Sequence, residues 1–317
     1  MRLDELSLFD APYISKNRII ALIENLEFIQ AQSEIEVFRK AYPAMDIETE
    51  NTVCDFFIGH RSLPEPEKLY STWRAFESLI YKLELKIVYL PTIKKNFFKQ
   101  LCLVLDNQPD EILSIEDTPV GLFYIHADRI KTAKRKLEKA IIQQSPNLSQ
   151  LYGYLGYIHF LNKDISASRI CMREAFEIGP YGVDLHFIKD TEIKDLINGL
   201  SKEYVTLHWI VSYGCIQRVF PAKIIKLLED LRVYVNEFLE LEKEYLKKQD
   251  DELRARFFYK CLILSDNNKR LQHVSAVELT KVRKYMKEIN PSLFKKYMAY
   301  VEENLGSCII PFAALDN

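Results

Sequence analysis

The sequence predicts an all-α fold of antiparallel helical hairpins stacked as a solenoid with flanking helices. Three observations lead there. Only 9 glycines and 12 prolines interrupt 317 residues, while Leu, Ile, Lys and Glu recur at helical spacing, which leaves little or no room for sheet. Gly156 follows Gly121 by 35 residues, and Ser168, Met172 and Ala175 follow Ala133, Leu137 and Ala140 by the same interval. One helix-turn-helix unit therefore occurs twice in succession, as in proteins whose stacked hairpins bury a continuous core only together.

Taken in order, the elements begin with a stripe of Ile19, Leu22, Ile23 and Leu26, followed by a Glu27-Phe28 turn. Ala31, Ile35, Phe38 and Pro43 then approximate the spacing of Ala133, Leu137, Ala140 and Pro146, so residues 12–43 read as a degenerate copy and Asn51 to Ile58 as the next helix. Pro64-Glu65-Pro66-Glu67 opens a helix carrying Leu69, Trp73, Phe76, Ile80, Leu83 and Ile87, which ends at Pro91; its Trp73 belongs to the core rather than to a ligand. Another helix covers 92–105, and Asp106 to Asp110 is a polar connector. Beyond Pro180 the weakly patterned stretch to Leu200 holds one short helix, and an apolar helix runs from Tyr204 to Ile216.

Pro221 starts a long helix with Leu227, Leu231, Tyr234, Phe238, Leu241 and Tyr245 at spacings of four and three, widened by Ile224, Leu228 and Val235. Such a stripe can pair within the chain or make a homodimer; a hairpin with Leu253 to Leu264, turning at Lys247 to Asp251, is the preferred reading. Helices from Ala276 to Ile289 and from Pro291 to Asn304 follow, the second capped by Asn290. The apolar tail Cys308 to Leu315 is too short to span a membrane and is expected to dock in a groove of this chain or a neighbour. Three parts result: 1–112 with the degenerate repeat, 113–182 with the repeat pair, and 183–317.

Within each copy a glycine sits in the first helix, where a side chain would hold the second helix away. Two small residues seven apart (Ala133 and Ala140, Ser168 and Ala175) share one face of the second helix, and Leu137 or Met172 fills the seam between them. The turns Ala127-Asp128-Arg129 and Asn162-Lys163-Asp164 are short and polar, which makes the helices antiparallel. Pro146 and Pro180 close the copies.

These residues resemble the tetratricopeptide repeat family. The match is Val120, Gly121, Tyr124, Ala133, Ala140 and Pro146 in the first copy and Leu155, Gly156, Ser168, Ala175 and Pro180 in the second, covering residues 113–182. The family's early Trp is missing from both copies and its first-helix Tyr is His159 in the second. Five positions are identical between copies (Leu113/Leu148, Ser114/Ser149, Gly121/Gly156, Ile130/Ile165, Ala140/Ala175). The resemblance implies a concave surface made by the first helices, here Leu122, Ile125, Tyr157, Phe160 and Leu161, and an outer surface that carries Arg129, Lys131, Lys134, Arg135, Lys136 and Lys139. The Lys and Asn clamp with which some members hold a peptide's carboxyl terminus is absent, so the apolar surface is expected to take an amphipathic helix or an extended apolar segment, from a partner or from the chain's own tail. The competing reading is that later helices of the chain cover it.

Composition bounds the rest. A net charge of −2, from 43 basic and 45 acidic residues, gives no global field for nucleic acid or an acidic membrane, though a local patch is compatible with it. No secretory signal or run of about eighteen apolar residues is present, and six scattered cysteines outside any C-x-x-C pair suit reduced thiols, so a soluble, cytoplasmic protein is expected. No catalytic motif is found, the six histidines are isolated, and no metal or cofactor is expected. His126 and His159 lie on the two first helices but make only two ligands. Pairs such as Glu242/Glu244 and Glu302/Glu303 read as solvated charge. Basic and aromatic residues interleave at 94–99, 254–260 and 294–297, which would make a stacking groove for single strands if the aromatics were exposed; on helices they are expected to face the core while the cations face water. The resulting expectation is a non-enzymatic adaptor or assembly factor that binds another protein. An RNA-binding helical repeat protein and an enzyme with a dispersed site are the alternatives.

Overall fold

In the computed structural model the described residues are 11–60, 64–108, 112–203, 205–248, 250–268 and 277–305, with the side chains of 304 and 305 left aside. They are helical apart from connections and one minute antiparallel pair. Contacts gather into two compact units, Met1–Ser145 and Pro146–Asn317, so the division falls between the two copies.

The first unit contains α1 (Ala11–Glu24), α2 (Phe28–Ala41), α3 (Glu48–Gly59), α4 (Pro66–Leu83), α5 (Leu90–Asp106), β1 (Ser114–Ile115), β2 (Thr118–Pro119), α6 (Val120–His126) and α7 (Ile130–Ile142). Its core is aromatic: Trp73 is buried, with its ring 5.2 Å from Phe97 and 5.5 Å from Phe98, and Phe57 and Phe76 meet at 4.6 Å. Pro66 opens α4 where its missing N–H costs nothing. The helix ends at Leu83, earlier than its apolar spacing predicts, because Glu84 takes a left-handed conformation and leaves Ile87 beyond the end.

The hairpins α1–α2 and α6–α7 of this unit and α8–α9 (Leu148–Leu161, Ile165–Ile178) of the second turn in one way. Leu26, Asp128 and Lys163, each five residues before the first small residue of the second helix, have φ of 64°, 61° and 62°. The following N–H reaches back five residues in all three (Glu27 to Leu22, Arg129 to Tyr124, Asp164 to His159), and the left-handed residue's own N–H reaches back three. This pair of bonds satisfies the carbonyls that a helix end leaves open. Residues 12–43 thus share the hairpin geometry as well as the spacing.

The first copy differs from the second before Gly121. Residues 114–119, which stand at the offset of the helical residues 149–154, form the β1–β2 pair around Glu116 and Asp117, both at positive φ. Pro119 cannot donate a helical hydrogen bond, and the Leu113 carbonyl instead accepts from Val120 N–H, so α6 keeps only 7 residues.

The second unit continues with α10 (Thr191–Lys202), α11 (Ile210–Ile216), α12 (Leu228–Lys247), α13 (Asp251–Asp266), α14 (Leu279–Ile289) and α15 (Pro291–Leu305), with 3-10 turns at Pro180–Gly182, Leu185–Phe187 and Leu207–Trp209. Between Leu253 and Ser265, α13 is buried on nearly every face, and it packs against α11, α12 and α14 as a central helix apolar all round should. The expected α12–α13 hairpin is present, with Asp250 capping α13 through Leu253 N–H, and Asn290 caps α15 through Leu293 N–H. The weakly patterned stretch holds one α-helix as expected, α10, of 12 residues. Its cap, Asp190, is buried and also accepts two bonds from Arg169.

Residues 221–227 are not the start of α12. Their backbone is taken up by distant side chains: Arg173 donates to the Pro221 carbonyl, and buried Asn267 donates to the Lys223 carbonyl while accepting from Ile225 N–H. Leu227 is an extended residue before the helix, exposed like Ile224 and Leu228, so the buried stripe of α12 begins at Leu231. The expected tail at 308–315, Tyr204 and Ala276 lie outside the described residues, but the helix expected from Tyr204 starts late: 205–206 are irregular and Leu207–Trp209 is a 3-10 turn, so α11 begins at Ile210.

Candidate functional site

The residues expected to line a groove fall in both units. In the first, Ile125 is buried in the core and Leu122 is half-buried. In the second, Tyr157 is half-buried with its ring 5.0 Å from Phe187 of a 3-10 turn, Phe160 is half-buried, and Leu161 is 43% exposed. Ile125 therefore offers no surface, and Tyr157 is already packed on one side.

The expected outer stripe is similarly divided. Lys131 and Arg135 are exposed and Lys134 lies 3.7 Å from Glu138, whereas Lys139 is half-buried and Lys136 is buried. Arg129 belongs to the turn: it pairs with Asp106 and lies over the Tyr124 ring. Burial pushes the Asp106 carboxyl up, but hydrogen bonds from Arg129 and Tyr124 outweigh it and hold the group below its ordinary value.

Phe97, Phe98, Phe257, Phe258, Tyr259, Phe294 and Tyr297, the aromatics of the three basic segments, are buried, so these segments present no stacking platform. Glu242 corrects another expectation, because it is buried, accepts from Tyr285 at 2.6 Å and pairs with Lys281 at 2.8 Å. Glu302 and Glu303 are exposed as expected. His126 packs against the Phe98 ring and His159 turns toward Asp164. Among the described residues no group of three or more metal-ligating side chains occurs.

A large hollow in the second unit was not foreseen. It is a cleft of about 1060 Å³ walled by the end of α9, the Pro180–Gly182 turn, one stripe of α12 and one of α13. The α12 stripe is Val233, Tyr234, Glu237, Glu240, Leu241 and Glu244; the α13 stripe is Glu252, Ala255, Arg256, Tyr259 and Lys260. Both follow helical periodicity, so each set shares one face of its helix.

Lys223 reaches the floor of this cleft because Asn267 fixes its carbonyl and the N–H two residues on. Its ammonium lies 2.9 Å from Glu174 and 2.8 Å from Glu177, and the Tyr234 and Tyr259 hydroxyls each stand 3.4 Å from Glu177. Lys260 pairs with Glu237 and lies 3.9 Å above the centre of the Tyr234 ring, a cation–π contact. Burial would lower the Lys223 ammonium, but Glu177 and Glu174 outweigh it and raise it above its ordinary value. Burial likewise pushes Glu174 up, and Lys223 with Arg173 pulls it below the usual range. Tyr234 is pushed to about 12, by burial first and then by Glu177. At neutral pH Lys223 therefore carries its positive charge, Glu174 its negative one, and the Tyr234 hydroxyl keeps its proton.

The rim differs. Glu240, Glu244, Glu252 and Arg256 are exposed, as are the apolar side chains of Ile178, Tyr181 and Val233. The first unit has a smaller hollow of about 410 Å³, lined mainly by apolar residues including Leu26, Phe28, Ile29, Phe57 and Leu69. Fold and cleft together define an all-helical protein with an open, acidic cleft lined by tyrosines, and no described helix is long and apolar enough to cross a membrane. No family model, curated protein or solved structure matches the chain.

Proposed function

We propose that this protein is a non-enzymatic adaptor of the tetratricopeptide-like class, a helical-repeat protein that holds a segment of another protein in the cleft between α9, α12 and α13. The observation that carries the reading is the cleft itself. Its size suits a stretch of polypeptide better than a small molecule, since ligand pockets commonly run about 300–1,000 Å³ and enclose their ligand. Its floor holds the Lys223 ammonium between Glu174 and Glu177, with the ammonium raised and the Glu174 carboxyl lowered from their ordinary values, which supports a fixed, charged binding surface. The shared turn geometry of three hairpins supports the repeat class, and the burial of the aromatics in the basic segments weighs against RNA as the ligand. The proposed setting is the cytoplasm.

The test is selection of a displayed random-peptide library on the immobilised full chain. Enrichment of peptides whose binding is lost in Val233→Asp supports the proposal. No enrichment over an unrelated helical protein, or enriched peptides that bind Val233→Asp equally well, contradicts it.

A further inference from the structure

We infer that the segment held in this cleft is a basic amphipathic helix of a partner protein, with lysine or arginine on one face and apolar side chains on the other. The inference rests on the adaptor reading and gives the partner a chemistry. The cleft walls carry six glutamates against two lysines and one arginine, with His208 beside them. Lys223 is engaged with Glu174 and Glu177 on the floor and Lys260 with the exposed Glu237, so the unpaired negative charge lies toward the rim. There, Glu240 contacts only Lys243 of its own helix at 2.8 Å, and the Glu244 side chain has no partner among the described residues.

Charge alone would not make a site. The same walls hold Ile178, Tyr181 and Val233 at 49%, 67% and 55% exposure, an amount of open apolar surface that a helix could cover with its own apolar face. From Val233 to Glu244 the α12 wall runs about 16 Å at 1.5 Å per residue, the length of about three turns of a docked helix. Glu240 and Glu244 are spaced by four, so cations at i and i+4 on a helix lying alongside would meet them in register. Apolar contact would then supply most of the affinity, and the glutamates would choose the partner and speed its arrival.

Residues 306–317 contain no lysine or arginine, and residues 1–10 carry Asp4, Glu5 and Asp10 against Arg2, so neither segment complements these walls, whereas the basic helix of a separate partner does.

The experiment measures fluorescence anisotropy of a labelled leucine–lysine amphipathic peptide, and of its counterpart with glutamate at every lysine, against the full chain at low and high salt. At low salt the lysine peptide should bind at least about tenfold more tightly than the glutamate peptide, and added salt should weaken it. Glu240→Gln/Glu244→Gln should lose about fivefold or more in affinity, Val233→Asp should abolish binding, and Glu192→Gln/Asp195→Asn on α10 should bind like wild type. Equal binding of the two peptides, unchanged affinity in Glu240→Gln/Glu244→Gln, or no binding of the lysine peptide overturns the inference. Tighter binding after Lys269→Ser/Arg270→Ser also overturns it, by assigning the cleft to the chain's own cations. The adaptor reading fails separately, if no selected peptide of any charge binds in a Val233-dependent way.

Discussion

The hairpins α6–α7 and α8–α9 share a turn and a seam but differ in the length of the first helix. In one the first helix has 7 residues and is preceded by a β-turn; in the other it has 14. Yet a Cβ placed at Gly121 would meet Leu137 and the Ala133 carbonyl, and one placed at Gly156 would meet Met172 and the Ser168 carbonyl, the same partners 35 residues on. The contact of a small residue with the facing helix is therefore what the repeat preserves, while the length of the first helix is free to vary.

The tightness of the two seams differs, which ranks the expected effects. At Gly121 the added carbon would lie 2.5 Å from Leu137 Cγ, a branched atom close to the backbone. At Gly156 it would lie 3.1 Å from Cε and Cγ of Met172, a side chain that can move aside. Leu137→Ala should cost about 3 kcal/mol of unfolding free energy and Gly121→Ala about 2 kcal/mol. The double variant should cost less than their sum by about 1 kcal/mol, because each change makes room for the other. Gly156→Ala should cost under about 1 kcal/mol, since the flexible methionine yields and alanine favours the helix. Urea denaturation of the four variants measures all of this, and a larger loss at Gly156 than at Gly121 would break the comparison.

A second difference lies at the end of the first helix, where the first copy has His126 and the second Leu161. Burial, with Lys94 nearby, lowers the His126 imidazole to about 3. The unfolded chain then takes up a proton near pH 6.5 that the folded chain refuses, so stability is full above pH 6.5 and falls as pH drops from there toward 3. His126→Phe should flatten that fall in chemical denaturation at pH 7 and pH 5; an unchanged slope would place the loss elsewhere.

The smallest effects belong to the turns. Lys163 pays the left-handed penalty with a side chain that gains nothing locally, so Lys163→Gly should stabilise by about 0.5 kcal/mol. Asp128 tolerates that conformation and pairs with Lys95, and Asp128→Gly should bring no gain. The order of the two urea midpoints checks the assignment.

Much of the hairpin organisation was legible because its determinants are local. Small residues seven apart, short polar turns and the Asn290-Pro291 cap each act within a few residues of themselves. The departures arise where distant groups decide. Ile224 and Leu227 fit the α12 period, but Arg173 and Asn267 hold the backbone before them extended, and neither is close in sequence. The β-turn at Glu116-Asp117 lacks the glycine that advertises such a turn. In the cleft, the Glu237, Glu240 and Glu244 stripe was present to be read, yet nothing in the chain says that Lys223, Glu174 and Glu177 converge on it across some fifty residues. Asp190, a buried cap followed by Thr191 and Glu192, was a readable start for the expected short helix, which the weak apolar pattern left without bounds.

The most direct test of the central claim is calorimetric titration of one library-selected peptide into wild type, Val233→Asp and Tyr157→Ser/Phe160→Ser, each verified for native helicity by circular dichroism. The account predicts that Val233→Asp abolishes the heat of binding and that the Tyr157/Phe160 variant binds like wild type. Binding that survives in Val233→Asp and disappears in Tyr157→Ser/Phe160→Ser would move the site to the first helix of the repeat and contradict the assignment to the cleft.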